Sequence, residues 1–144
     1  MRITSPAFED EGDVPAKYTC DGDDVSPPLV IEDIPEDAVS LVLAVDDPDA
    51  PGGTWDHWIV YDIEPRTEIP EGAKELGTEG SNSWGHVGYR GPCPPGGTHR
   101  YFFQVYALDK GLGWEEGWDK TSVLEAIHDH VLAEASLLAF YSRE

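Results

Sequence analysis

The chain has 144 residues, with 29 Asp and Glu against 9 Lys and Arg, and a formal net charge of −20. A surface this anionic repels nucleic acid and acidic membranes, which excludes both as partners. The length fits one domain over 1–144, large enough to bury a core without a metal or disulfide staple, and a 40% hydrophobic fraction with five Trp points to a packed core.

The acids are spread along the chain rather than gathered in a tail, as in Glu9–Glu11, Asp21–Asp24 and Glu115–Glu116. That spread predicts an acidic, halophilic protein whose self-repulsion is screened by a salty cytosol. The opening MRITSPAFEDEG has no apolar signal region. No window approaches the roughly 18 apolar residues of a membrane span. The expectation is a cytoplasmic protein without membrane insertion. Cys20 and Cys93 both lie in loop-like sequence. Free thiols are the default in a reducing cytosol, and a Cys20–Cys93 bridge is the alternative.

Frequent Gly and Pro punctuate short β-rich runs, and there is no repeat or linker. Leu29–Ile31 is the first strand. Val39–Val45 is a fuller one, apolar throughout and so expected to be buried on both faces. His57–Ile63 alternates, which places His57, Ile59, Tyr61 and Ile63 on one face and Trp58, Val60 and Asp62 on the other. Tyr101–Leu108 is the longest. From Ser122 to Tyr141, Leu124, Ile127, Val131, Ala135 and Leu138 recur at three- and four-residue steps and predict a helix. Asp119 or Ser122 can cap it, and Ser122 with Glu125 fits a capping box. The fold class is mainly β, an antiparallel sandwich with a C-terminal helix packed on it.

Three stretches carry potential chemistry. In DDPDAPGGTWDHW, Asp47 ends one strand and His57 begins the next, with Pro48 and Pro51 restricting the turn between them. In GYRGPCPPGGTHRYFFQVYALD, Pro92, Pro94 and Pro95 stiffen a loop whose glycines, Gly88, Gly91, Gly96 and Gly97, leave N–H groups uncovered as an anion nest. His99, Tyr101 and Phe103 then share a strand face, with Phe103 read as core, while Arg100 points the other way as a partner for an acid. YTCDGDDVSPPL is a rigid acidic loop that forms a further wall.

These motifs, with HVLAEASLL near the end, resemble the phosphatidylethanolamine-binding protein family, in particular its short bacterial and archaeal branch labelled Raf-kinase-inhibitor-like. The resemblance spans nearly the whole chain. It implies a β-sandwich with a small pocket at one end for phosphate, acetate or a phospholipid head group. Carried over by motif position, the binding residues are Asp47, Pro51, His57, Gly91, Pro92, His99 and Tyr101. The terminal segment that helps close the pocket in eukaryotic members has no match in AFYSRE.

The leading expectation is a non-catalytic receptor for a small anion or phosphorylated head group, without cofactor or metal. A regulatory role through a protein partner is carried by the family label alone. Two other readings compete with it. A Cys/His hydrolase would use Cys93 and His99 with Asp47, but there is no G-x-S-x-G elbow. A metal site of His57, His99 and Asp47 lacks any compact ligand motif. His86 reads as a loop residue. His128 and His130, two apart on the predicted helix, do not share a face. Trp84, Trp114 and Trp118 read as loop covers over the core.

Overall fold

The structure is a computed structural model that describes residues 1–143. The apolar run after Val39 becomes β4, Ser40–Asp47, and every residue of it is buried. Such a strand must lie inside a sheet covered on both sides. It pairs antiparallel with β5, Trp55–Ile63, on one side and with β8, Thr98–Leu108, on the other. The large sheet runs β2, β9, β8, β4, β5, β7, where β2 is Gly12–Asp13, β7 is Thr78–Glu79 and β9 is Val131–Ser142. Its pairs are antiparallel except β2 with β9. A smaller antiparallel sheet holds β1 (Arg2–Thr4), β3 (Leu29–Glu32) and β6 (Glu68–Ile69).

Strand alternation divides the core in two. Leu41, Leu43 and Val45 of β4, with Tyr101, Phe103 and Val105 of β8, face the small sheet and pack on Ile3, Leu29, Ile31 and Ile69. Val42, Ala44, Ile59 and Tyr61 face the opposite way, onto Val123 and Ile127 of the helix α1, Lys120–Ile127. The sandwich and its C-terminal helix are therefore as the sequence predicts.

The helix is shorter than its apolar stripe. It stops at Ile127, and residues 131–142 form β9 instead, paired with β8 from Leu108↔Val131 to Thr98↔Ser142. The segment carries both periods. Val131, Ala135 and Leu138 fit a helix, but Ala133, Ala135, Leu137, Ala139 and Tyr141 alternate, and these are the residues packed on the main core. Backbone pairing along the whole of β8, with one face buried, outweighs the helix propensity of an Ala- and Leu-rich stretch. Asp119 is the N-cap: its carboxylate accepts the Ser122 N–H at 2.9 Å, so the Ser122/Glu125 box is not used. His128 is the C-cap, and His130 lies beyond the helix, bonded to Asp109 at 2.9 Å.

Two irregularities break the alternation predicted for β5. Between Val45↔Trp58 and Asp46↔Asp56 the strand carries one extra residue, His57. Between Leu43↔Val60 and Leu41↔Ile63 it carries another, and here Asp62 adopts φ 54°. These bulges put Ile63 on the main-core face with Trp58 and Val60, away from Ile59 and Tyr61. Asp62 then accepts the N–H groups of Leu112 and Gly113, which anchors the loop before α1.

Lys120 ties the helix to the sheet. Its Nζ meets Asp46 at 2.6 Å and Asp56 at 2.8 Å, all three side chains largely buried. Burial opposes the charge, but the hydrogen bonds to Asp46 and Asp56 outweigh it and hold the amine above its ordinary pKa. Trp114 packs on the helix-side cluster near Tyr61, whereas Trp118 is half exposed against Trp114.

Candidate functional site

The end of β4 and the starts of β5 and β8 meet at one end of the large sheet, because adjacent strands are antiparallel there. A cavity of about 250 Å³ opens at this end, and its walls include Asp47, Pro51, His57, His99 and Tyr101. Of the residues named from sequence, those five are brought together. Gly91 and Pro92 are buried beside the cavity and not among its lining.

Each polar group has a defined role. Asp47 continues the face of Leu43 and Val45, so its carboxylate points away from Lys120. Its Oδ2 accepts Nδ1–H of His99 at 2.6 Å, and its Oδ1 accepts the Asp49 N–H at 2.8 Å. That fixes the His99 ring and leaves Nε2 as its remaining nitrogen. His57 Nδ1 lies 2.6 Å from the Arg90 carbonyl, which can only accept, so Nδ1 carries the proton there too. Burial pushes the His57 pKa down, against the opposing pull of the Arg90 carbonyl and Asp47. The Tyr101 ring lies between the two imidazoles, with centroids 5.4 Å from His57 and 6.5 Å from His99. Among the described residues its buried hydroxyl makes no well-formed hydrogen bond, although the Asp47 carboxylate and the Cys93 backbone lie near enough to act on it. Burial, then the charge of Asp47, raises its pKa far above the ordinary phenol value.

The proline-glycine loop works differently from the predicted anion nest. Cys93, Pro94 and Pro95 face the cavity, and the two prolines have no N–H to offer. The Gly91 N–H is taken by Asp24 at 2.8 Å. Gly91 is needed for close approach: a Cβ there would meet the Tyr18 carbonyl oxygen at 2.1 Å. The acidic loop of residues 18–24 thus holds the proline loop from behind. Tyr89 donates to the Tyr18 carbonyl at 2.7 Å, the Cys20 N–H donates to the Pro92 carbonyl at 3.1 Å, and Cys20 is bonded to Cys93 in a disulfide with Cα atoms 5.5 Å apart. The free-thiol expectation is corrected, because the two loops cross where the cysteines can pair. Cys93 has no thiolate in this state, which removes the nucleophile of the hydrolase reading.

Arg100 points away from the cavity and clasps Asp49 with Nε at 2.9 Å and Nη2 at 2.8 Å, while its N–H donates to the same carboxylate. Those bonds hold the Asp49 pKa down to about 2. Among the described residues no three His, Cys, Asp or Glu side chains are grouped to hold a metal.

Three lining residues escape the sequence reading: Ala50, Trp55 and Trp84. Trp84 meets His57 edge-on at 5.0 Å and Trp55 at 5.5 Å. The signal for Trp84 is Asn82, whose buried side chain accepts the N–H groups of Trp84 and His86 and donates to the Gly88 carbonyl. That bracing folds SNSWGHVG back over the cavity, and it leaves His86 itself exposed.

A two-sheet sandwich with a helix on its outer face, and a small cavity of aspartate, histidine and tyrosine at one sheet end, defines the class. The model of the family described as phosphatidylethanolamine-binding protein matches residues 4–142. A UPF0098 protein of Methanothermobacter thermautotrophicus is 47% identical over 150 residues, covering 99% of either chain. One of Chlamydia trachomatis is 45% identical over all of both chains. Among solved structures, the putative phosphatidylethanolamine-binding protein homolog CT736 of Chlamydia trachomatis has a TM-score of 0.96 at 44% identity, over 99% of this chain and 97% of that one. Escherichia coli YbcL, described as a new member of the mammalian family, has a TM-score of 0.91 at 27% identity, over 99% and 98%. The chain belongs to the phosphatidylethanolamine-binding protein family. No helix among the described residues is long and apolar enough to cross a membrane.

Proposed function

We propose that the cavity is a non-catalytic receptor for a small anion, either a free phosphate or carboxylate or the phosphorylated head group of a larger molecule. The observation that carries this reading is the convergence of the His57 and His99 rings and the unpartnered Tyr101 hydroxyl on one cavity. A buried hydroxyl without a partner costs about 1–3 kcal/mol, and an oxyanion would relieve it. A volume of about 250 Å³ suits a head group rather than a whole lipid.

The charge balance adds a condition. The lining holds no Lys or Arg, and Asp47 contributes a negative charge. With neutral imidazoles, an anion would face the Nε2 lone pairs of both rings. It must therefore bring a proton or induce one on a ring. Calorimetric titration with phosphate and acetate, with His99→Ala as control, tests the reading. Tight binding unaffected by that substitution, or no binding by either anion, would overturn it. A regulatory action on a protein partner would run through the same cavity and its rim.

A further inference from the structure

Five of the nine basic side chains hold carboxylates: Arg2, Lys17, Arg100, Lys120 and Arg143. Arg90 does not. Among the described residues it has no ion pair, although acids outnumber bases by 29 to 9. Its backbone is clamped to the site from both sides, the N–H donating to the His57 carbonyl at 3.2 Å and the carbonyl accepting from His57 Nδ1 at 2.6 Å. Its exposed guanidinium lies over the Trp84 ring, 5.5 Å from the centroid. Trp84 is a cavity wall. The stack costs no donor, since a guanidinium on an aromatic face keeps its in-plane N–H groups for another partner. The cavity thus has no fixed cation inside and one just beyond its aromatic wall.

Resting on the anion-receptor reading above, we infer that Arg90 sets ligand preference: it favours a phosphomonoester carrying a second negative group a few atoms from the phosphate. The phosphate would sit among His57, His99 and Tyr101. The second group would reach out past Trp84 to the guanidinium fork, which suits a carboxylate or phosphate.

The test compares sn-glycerol 3-phosphate with 3-phosphoglycerate, which share the phosphate and the three-carbon frame and differ by a carboxylate. Calorimetry on the wild-type chain should show 3-phosphoglycerate binding about fivefold tighter, the worth of one partly exposed ion pair. Arg90→Gln should erase that preference and leave glycerol 3-phosphate within about twofold of wild type. Arg90→Lys should restore part of it, because the charge returns without the planar fork. Equal wild-type affinities, or a preference that survives Arg90→Gln, would overturn the assignment while leaving the receptor reading intact. Failure of both esters, of inorganic phosphate and of acetate to bind the wild-type chain would overturn both. Unchanged thermal unfolding of the variants would separate recognition from folding.

Discussion

His57 meets Tyr101 edge to face, with ring centroids 5.4 Å apart, because His57 is the extra residue of a bulge in β5. Regular alternation would have sent the ring to the helix side with Ile59. The bulge turns it toward the site instead, as bulges beside binding sites often do. The pairing of two imidazoles around one tyrosine is thus a product of backbone irregularity.

Anion affinity should fall as pH rises through the histidine range. Acetate is the cleaner probe because it stays ionised there, so the proton that accompanies it must land on the protein. One linked proton gives a change of up to about tenfold per pH unit. Calorimetry in buffers of different ionisation enthalpy would report the uptake directly. Binding of acetate without proton uptake contradicts the mechanism.

His57 also links pH to stability. Burial lowers its folded pKa below the ordinary 6.5, so the unfolded chain takes up its proton first. The stability contributed by a neutral His57 is complete above about pH 6.5 and is lost as pH falls below that value. Melting curves from neutral to mildly acid pH should shift downward, and His57→Gln should flatten this part of the profile. An identical acid slope in the variant would assign the effect to other groups.

Tyr101→Phe separates binding from folding. The hydroxyl makes no well-formed bond to the protein, so its removal should change the ligand-free melting temperature little. Phosphate affinity should nonetheless fall by about tenfold, one lost hydrogen bond to a charged group. A marked loss of stability would show that the hydroxyl has a structural partner.

The disulfide closes a separation of 73 residues. Constraining a loop of that length in the unfolded chain is worth about 4 kcal/mol in the chain-entropy treatment. Reduction, or Cys20→Ser with Cys93→Ser, should lower stability on that scale and loosen the cavity wall at Cys93–Pro95. Denaturant melts with and without a dithiol reductant would measure it. Equal midpoints would mean that the hydrogen bonds between the two loops suffice alone.

Lys120→Ala should cost about 3 kcal/mol, since it strands two largely buried carboxylates, whereas Lys120→Met with Asp46→Asn and Asp56→Asn should recover much of the loss. Because the lysine pKa is raised, its contribution is complete below about pH 10 and is lost only as pH climbs past the folded value. Chemical denaturation of the single and triple variants decides this.

The sequence exposed those parts of the fold that depend on local pattern. β3, β4 and the body of β8 follow from apolar runs bounded by Gly and Pro, and Asp47, His57, His99 and Tyr101 stand in motifs that name their neighbours. What the sequence hid depends on distant partners. Residues 131–142 read as helix from their apolar spacing, and their strand period prevails only because β8 lies beside them. Nothing in HWIVYDI announces the two bulges, because these arise from how β5 accommodates β4. The Gly91 amide looked open because its acceptor, Asp24, lies 67 positions away. The turn that places Trp84 is local, set by Asn82 two residues before it, but its contact with His57 appears only in the folded chain.

Along β8, His99 and Tyr101 face the cavity and Arg100 and Phe102 face the other way, which makes the site sensitive to chain length as well as to side-chain identity. Deleting Tyr101 or Phe102 would flip the residues before it, turning Arg100 toward the hollow and His99 away from it. Gains and losses of residues should therefore collect at Gly96 and Gly97, where open space surrounds the backbone, and stop abruptly at the first rung of the strand.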